Sequence, residues 1–199
     1  MINFNLASYK ITRGMTYIEL IVVLGIFSTM LSIAMFNHNK FQDKVAIKAL
    51  ANEIALKIVE AQKSSINGKW NSAATSDWKP SYGVYFTSNS TKFIYFADLN
   101  SSNTCSDPGC ASFTLGGEVL DVISMTRGNS ISVSGLEVTG TGCPATVTNL
   151  TVVFRRPDSS ALIASSPSCT ISQAIVNIVS PSGLSAKIKF YPSGRVQIN

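Results

Sequence analysis

The order of apolar and polar positions divides the chain into a long helical part and a later part made of short strands. From residue 15 to residue 36, 22 positions carry a single charged side chain, Glu19. A helix of that length spans roughly 33 Å, close to the ~30 Å hydrocarbon core of a bilayer. The pattern therefore predicts a membrane-spanning helix with one isolated carboxylate in its first turn.

Beyond this run, apolar residues recur at every third or fourth position, which is the spacing of one face of a helix. No proline interrupts the sequence before Asn67 and Gly68, a pair that commonly ends a helix. One helix of about 50 residues is therefore predicted, and its amphipathic half, 38–67, is expected to pack on the domain that follows. The apolar stripe contains Ile47, Leu50, Ile54 and Ile58.

After residue 68 the period falls to two, and turn-forming residues separate short apolar runs, as in antiparallel β structure. Residues 82–86 and 92–96 are expected to form a hairpin, and 100–112 is predicted to be an exposed loop. The fold class is therefore α+β, with a long N-terminal helix packed on a C-terminal antiparallel β-sandwich or bent sheet, 68–199. Further strands are predicted at 118–124, 130–138, 146–154, 173–179, 186–191 and 195–198.

All four cysteines follow the apolar run, and their even number suits an oxidising compartment beyond the membrane. Three pairings are open, of which Cys105 with Cys110, across a short turn, and Cys143 with Cys169 are favoured. On the chain-entropy model these bonds would stabilise the fold by roughly 2 and 3.5 kcal/mol. A zinc site is the competing interpretation, but the chain has no C-x-x-C pair and a single histidine, His38.

The sequence at the start of the apolar run is Arg13-Gly14-Met15-Thr16-Tyr17-Ile18-Glu19-Leu20. It resembles the class III signal of type IV prepilins and pseudopilins. The resemblance implies that a prepilin peptidase removes the leader 1–14 by cutting between Gly14 and Met15, and then methylates the amino group of Met15. It also implies that Glu19 faces the amino terminus of a neighbouring subunit during assembly. A free α-amino group has a pKa near ~7.7–8.0, so it is largely cationic and could neutralise that carboxylate.

Two plainer interpretations of the apolar run remain open. An ordinary secretory signal would also begin with basic residues, here Lys10 and Arg13, but its apolar centre is usually about 7–15 residues long. A plain membrane anchor explains the length of the run but explains neither Gly14 nor Glu19. The basic residues on the two sides are nearly balanced, so charge alone does not orient the span. The prepilin resemblance implies a single-pass inner-membrane protein, with 15–37 in the bilayer and the C-terminal domain in the periplasm.

Small or weakly polar residues lie within the apolar run. They would let other helices approach closely, as small residues do at membrane interfaces. Alternatively, their hydroxyl groups bond to carbonyl oxygens of their own helix. The residues are Gly25, Ser28, Thr29 and Ser32.

Near the carboxyl end the chain reads Ile188-Lys189-Phe190-Tyr191-Pro192-Ser193-Gly194-Arg195-Val196. This segment is similar to the closing hairpin of the GspH/FimT family of minor pseudopilins. Together the two resemblances imply a structural subunit of a type II secretion pseudopilus, whose partners are other pseudopilins or pilins, bound through the N-terminal helix, and secreted cargo. The alternative is a FimT-like minor pilin of a type IV pilus, acting in pilus assembly or DNA uptake. A membrane-tethered β domain that binds a soluble ligand without polymerising is a third class.

In FimT-type members of that family, a basic Gly-Arg-x-Arg tail binds DNA. Here the tail is Gly194-Arg195-Val196-Gln197, so an amide replaces the second arginine. Lys187, Lys189 and Arg195 could still supply about two or three phosphate contacts, which would give a weak, salt-sensitive attraction. The plainer interpretation is an edge strand whose lysines discourage aggregation between sheets.

The composition gives little support for catalysis, and neither an enzyme nor a cofactor is expected. With one histidine, His38, at the membrane edge, the β domain cannot assemble a Ser-His-Asp or Cys-His site. The formal net charge of +5 permits acidic partners without requiring them. Asp98, Asp107, Glu118 and Asp121 could supply calcium ligands, although their spacing fits no EF-hand.

Overall fold

The computed structural model of the chain describes residues 14–72 and 79–199. Within these ranges it describes the side chains at all positions except 36, 37, 39 and 40. The leader predicted at 1–14 therefore lies outside the described residues apart from Gly14, and so do the basic residues Lys10 and Arg13. The chain divides into two compact units between Phe41 and Gln42.

Helix α1 extends over 50 residues, Tyr17–Ile66, which confirms the predicted length. In the first unit, its segment Tyr17–Met35 has a mean hydropathy of 2.2, and none of that segment is buried within the chain. A helix of this length and composition is able to span a membrane, so it is consistent with single-pass anchoring.

The carboxyl end of α1 is closed by a hydrogen-bonded cap around Gly68, whose φ is +59°. The N–H of Lys69 donates to the carbonyl oxygen of Ser64 (2.9 Å), and the N–H of Gly68 donates to that of Ser65 (3.0 Å). These two bonds form a Schellman motif, in which glycine adopts the left-handed conformation without a Cβ clash. The predicted stop at Asn67 and Gly68 is therefore confirmed.

In the described residues after α1, the chain forms nine strands, a five-residue helix α2 (Pro108–Ser112) and a 3-10 helix (Thr126–Gly128). The strands are β1 (Ser81–Thr87), β2 (Lys92–Asp98), β3 (Val119–Ser124), β4 (Ser130–Thr141), β5 (Asn149–Phe154), β6 (Ala161–Ser166), β7 (Thr170–Val179), β8 (Ser185–Phe190) and β9 (Val196–Ile198). They form a five-stranded sheet, β3-β2-β1-β5-β6, and a four-stranded sheet, β4-β7-β8-β9. All the pairs are antiparallel, so the fold is α+β as predicted.

The second unit is built around one hydrophobic core that joins α1 to both sheets. Its members include Ile54 of α1, Phe86 of the first sheet and Ile188 of the second, each almost completely inaccessible to solvent. Burying an aliphatic or aromatic side chain of this size contributes about 1.5–3 kcal/mol relative to leaving it exposed. The predicted stripe is confirmed, because it is buried in this core at Ile47, Leu50, Ile54 and Ile58.

The other face of the five-stranded sheet is covered by the connection between β2 and β3. Tyr85 and Phe96 form a second cluster there with Cys110 and Val119. Since β1 and β2 are covered on both faces, they are nearly continuous apolar runs rather than alternating ones. The prediction of an exposed loop at 100–112 is wrong in part, because α2 forms within it and buries Cys110.

The strands differ from the sequence prediction in one whole element and in several ends, such as those of β4, which extends to Thr141, and of β7, which begins at Thr170. Strand β6 is not predicted, because Ala161–Ser166 is rich in small residues, yet it pairs with β5 along its whole length. Backbone pairing here outweighs a weak side-chain pattern. Strand β5 begins at Asn149 rather than at 146, because Thr146 instead forms an isolated bridge with Glu137 of β4.

Candidate functional site

The start of α1 holds the residues predicted to act in processing and assembly. The N–H of Glu19 donates to Thr16 Oγ1 (3.4 Å), and the N–H of Leu20 donates to the carbonyl oxygen of Thr16 (3.1 Å). A threonine followed three residues later by glutamate is the sequence of a capping box, with Thr16 as the N-cap. Glu19 therefore also lies where a carboxylate interacts favourably with the helix dipole. The Thr-x-x-Glu pattern could have revealed this second role from the sequence.

Neither glycine described in the first unit is required by packing within the chain. A Cβ placed on Gly14 or Gly25 would meet no heavy atom within 4 Å, and neither residue has a positive φ. Contacts with the described residues therefore give no reason for glycine at either position. Among the hydroxyl residues of the span, Thr29 donates to the carbonyl oxygen of Ile26 (2.8 Å), which is the local bond that the sequence left as an alternative.

Both disulfides join the cysteines that the sequence favoured. Cys105 is bonded to Cys110 with a Cα–Cα distance of 5.9 Å, and Cys143 to Cys169 with 5.1 Å. Ligand atoms of Cys105, Cys110 and Glu118 lie within 4.8 Å of one another. However, zinc binds the thiolate form, and these sulfurs are bonded to each other, so the zinc interpretation is not supported.

The four acids that could supply calcium ligands each have a structural partner within the protein. Buried Asp98 accepts hydrogen bonds from two backbone N–H groups (3.0 and 2.9 Å), and buried Glu118 accepts from three (3.0 to 3.3 Å). Asp107 caps α2, and Asp121 forms an ion pair with Lys57 (3.5 Å). These acids hold loops and helix ends in place, so a shared calcium site is not supported.

Of the three residues predicted as weak DNA contacts, two lie on strand β8 of the second sheet and Arg195 lies in the turn before β9. Lys187 and Lys189 are alternate residues of β8 and share a face. The Arg195 guanidinium carbon lies 4.4 Å from the ring centroid of Tyr191, which directly follows β8. Lys187 forms an ion pair with Glu137 (3.1 Å), so its charge is largely offset. The three residues therefore present a weaker positive charge than the sequence suggests.

A larger group of cations, which the sequence analysis did not single out, lies at the end of the second unit where α1 terminates. A Cβ on Gly68 would contact the Arg156 guanidinium and lie 2.9 Å from Lys79 Cδ. Arg156 belongs to the loop between β5 and β6. A Cβ on Gly194, in the turn before β9, would contact the carbonyl of Ser159 in that loop. All six cations of this basic surface are exposed, and none forms an ion pair within residues 14–72 and 79–199. They are Lys63, Lys69, Lys79, Arg155, Arg156 and Arg195.

An open cleft of about 440 Å³ lies between α1 and the β3 edge of the first sheet, and the sequence analysis did not predict it. We call it the tyrosine cleft, because stacked Tyr82 and Tyr95 form its floor with ring centroids 6.1 Å apart. Lys57 Nζ lies 5.6 Å from the centroid of Tyr95. The same ammonium pairs with Glu60 (3.1 Å) and Asp121 (3.5 Å), which links the helix to the sheet.

The cleft also shifts the ionisation of its residues. Burial, reinforced by the neighbouring Tyr95, raises the pKa of Tyr82 to about 12. Burial also raises the pKa of Tyr95, against the opposing effect of its hydrogen bond with Ser64. For Lys57, burial alone would lower the pKa, but Glu60 and Asp121 together outweigh it and raise the pKa. At neutral pH the phenols therefore remain neutral and Lys57 remains cationic.

The chain matches no protein-family model, no curated protein and no solved structure. The resemblances at 13–20 and 188–196 to pseudopilins remain hypotheses about its function.

Proposed function

We propose that this chain is a minor pseudopilin, anchored in the inner membrane by α1, that assembles with similar helices into the pseudopilus of a type II secretion system. The observation that carries the proposal is that Tyr17–Met35, with a mean hydropathy of 2.2, is nowhere buried within the chain. Apolar surface of this extent needs lipid or other apolar helices to cover it. In a subunit that first inserts and then assembles, lipid covers this surface before assembly and the helices of other subunits cover it afterwards.

Gly14 and Glu19 favour processing and assembly over a plain anchor. Packing against residues 15–72 and 79–199 gives no reason for glycine at position 14, whereas a peptidase that cuts after a glycine would require it. Glu19 is the one charge of the apolar run and lies in the first turn of α1, where insertion costs less than the roughly 2.5–3.5 kcal/mol of a charge at the centre of a membrane helix. A cationic amino group on Met15 of a neighbouring subunit would offset that cost.

Intact mass and amino-terminal sequencing of the membrane-extracted protein test the processing step. We expect loss of residues 1–14 and one methyl group on Met15 in a host that has a prepilin peptidase. Gly14→Val should leave the leader attached, because a branched side chain would replace hydrogen next to the cut. Gly25→Val makes the same change away from the cut and should be processed normally. An intact leader in the wild type, or a chain that begins after Ala34, would contradict the proposal.

Substitutions at Glu19 and Thr16 separate electrostatic pairing from helix capping. Glutamine also completes a capping box but carries no charge, so Glu19→Gln should keep the helix and lose assembly. Thr16→Val removes the capping oxygen and keeps the charge, so it should still assemble. A photoreactive phenylalanine analogue at Phe27 would report contacts between spans as cross-linked oligomers in membranes. The reverse pattern, with Glu19→Gln assembling and Thr16→Val failing, would show that Glu19 is only a cap.

The basic surface favours a second candidate, a FimT-like minor pilin that binds DNA. Six exposed cations lie there, and among the residues of the β5–β6 loop only Asp158 is acidic. Contacts to six phosphates would weaken binding about 10³-fold between roughly 50 and 200 mM salt. Three contacts from the tail alone would weaken it by only about 40-fold over the same range.

An electrophoretic shift assay with duplex DNA tests this candidate. Arg155→Ala/Arg156→Ala should reduce affinity and flatten the salt dependence, because it removes two phosphate contacts. Lys187→Ala/Lys189→Ala removes the same number of cations from β8 and should have the smaller effect. The absence of a shift at low salt would exclude DNA binding, and the secretion role would remain as the proposed function. The genes beside this one, encoding secretion components or pilus components, would separate the two systems independently.

A further inference from the structure

The proposed function makes no use of the tyrosine cleft, although the cleft has the size of a small-molecule site. Its volume of about 440 Å³ falls within the range of roughly 300–1,000 Å³ that is usual for ligand pockets. Four parts of the chain line it: α1, the segment 69–72 that follows α1, the β1–β2 hairpin and the edge strand β3. None of these described parts closes the cleft over.

The floor of the cleft is fixed by internal hydrogen bonds. Tyr82 and Tyr95 stack with an angle of 21° between their planes and are almost fully buried. The Tyr82 hydroxyl donates to the carbonyl oxygen of Lys69 (2.8 Å), and the Tyr95 hydroxyl donates to Ser64 Oγ (3.1 Å). Because both hydroxyls have partners within the protein, the orientation of the rings is set before a ligand arrives.

A β-bulge in the edge strand shapes one wall of the cleft. Tyr95 lies opposite Asp121, and Phe96 lies opposite Val119, so Leu120 is an extra residue in β3. Adjacent residues of a regular strand point to opposite faces, yet Leu120 and Asp121 both line the cleft. Bulges re-aim side chains in this way and are frequent beside binding sites. The bulge is therefore a second sign, independent of the volume, that the backbone is shaped around this cleft.

The side chains at the mouth of the cleft define the chemistry of a ligand. Glu60 and Asp121 pair with Lys57, but their side chains remain 46% and 50% exposed, so their oxygens can accept further hydrogen bonds. Lys57 and Lys69 balance the charge of these two carboxylates. Trp70, which is 64% exposed, adds a large aromatic surface to the lining. The mouth thus combines hydrogen-bond donors, acceptors and an aromatic face without net charge.

We propose that the tyrosine cleft binds a neutral saccharide, with a sugar ring against Trp70 and sugar hydroxyls donating to Glu60 and Asp121. Sugar hydroxyls both donate and accept, so they match the carboxylates and Lys57 together, while the C–H face of the ring packs on indole. An anion would approach two carboxylates, and a cation would have to displace Lys57 from both of them. A wholly apolar ligand would strip water from charged groups without replacing their hydrogen bonds.

Saturation-transfer NMR on the full chain in a zwitterionic, sugar-free detergent tests the proposal. Glucoside and maltoside detergents are avoided, because their head groups would compete for the cleft. The probes are maltotetraose, cellotetraose, mannotetraose and the tetramer of N-acetylglucosamine. At least one should show saturable transfer to its ring C–H protons, with a Kd on the order of 1 mM or below. Saccharide binding does not depend on filament assembly, so either proposal can fail alone.

Variants locate the binding. Trp70→Ala and Asp121→Asn should each raise the Kd by about tenfold or more, and Trp70→Phe, which keeps an aromatic face, should bind with intermediate affinity. Asp158→Asn makes the same chemical change as Asp121→Asn but lies on the β5–β6 loop, outside the cleft lining, so it should bind like the wild type. Urea unfolding midpoints verify that each variant is folded. No transfer to any of the four probes by the wild type, or unchanged binding by Trp70→Ala, would overturn the proposal.

Discussion

Glu118→Gln tests how the connection between β2 and β3 is held on the first sheet. Glu118 Oε1 accepts from the N–H of Leu99 (3.2 Å), and Oε2 accepts from the N–H groups of Ser106 (3.0 Å) and Asp107 (3.3 Å). The hydroxyl of Ser106 also donates to Oε2 (3.3 Å). The side chain is buried and forms no ion pair with a described residue, so these four hydrogen bonds are what compensates the buried charge.

The amide has the shape of the carboxylate but offers one acceptor oxygen. If that oxygen takes the place of Oε2, the NH₂ group faces the N–H of Leu99 and leaves a buried donor unpaired, which costs about 1–3 kcal/mol. The remaining bonds lose their charge assistance, and charge-assisted bonds are roughly twice as strong as neutral ones. Glu118→Gln should therefore lower the free energy of unfolding by about 2–4 kcal/mol.

Urea unfolding of the detergent-solubilised full chain, followed by near-ultraviolet circular dichroism, measures this loss. Hydrogen exchange at the amides of Ser106 and Asp107 should accelerate, because they lose a charged acceptor. Glu53→Gln makes the same change at an exposed position of α1 and should stay within about 0.5 kcal/mol of the wild type.

Two outcomes would refute this reasoning. The first is unfolding of Glu118→Gln at the same urea concentration as Glu53→Gln, which would mean that the four hydrogen bonds contribute nothing measurable. Alternatively, calcium could raise the unfolding midpoint of the wild type but not of Glu118→Gln. Glu118 would then be a metal ligand rather than an acceptor for backbone amides.

Three further predictions concern the core, a disulfide and the cleft. Ile54→Ala should lower the free energy of unfolding by about 2–5 kcal/mol, whereas exposed Leu56→Ala should change it little, both by urea titration. Replacing Cys143 and Cys169 by serine should cost about 3.5 kcal/mol in the same assay, and a cost near zero would contradict the chain-entropy estimate. Because the pKa of Tyr82 is about 12 when folded and near 10 when unfolded, stability should fall as the pH rises from 10 to 12. Tyr82→Phe should flatten that fall, and an unchanged pH slope would exclude the shift.

The parts of the fold that the sequence predicts well are those with a long, regular period. The 50 residues of α1 contain no proline and their second half keeps one apolar stripe, so both the helix and its buried face follow from spacing alone. The β1–β2 hairpin follows from two apolar runs around a polar turn. Strand β6 lacks such a signal, because its place depends on pairing with β5, which is a tertiary contact.

The candidate sites also differ in how well the sequence predicts them, according to whether their residues are close together in the chain. Gly14 and Glu19 belong to one continuous segment, so the sequence can suggest their role. The tyrosine cleft brings together Trp70, Tyr95 and Asp121, which are far apart in the sequence and meet only when the helix, hairpin and edge strand pack. The basic surface likewise draws its cations from four separate segments. Proximity of this kind leaves no local pattern, so sequence reasoning could not find either site.

Capping of α1 and assembly of subunits place different requirements on residue 19, because only assembly requires its side chain to be charged. A capping-box partner at this position contributes little more than a few tenths to about 1 kcal/mol, and glutamine meets the same geometric need. Glutamine would also be cheaper to insert, since a neutral amide loses less hydration energy than a carboxylate in hydrocarbon. The helix dipole favours the acid by at most about 1 kcal/mol, so capping and insertion together give little preference between acid and amide. Under the proposed function, the amino terminus of an adjacent subunit would supply a cation at this depth and favour the acid more strongly.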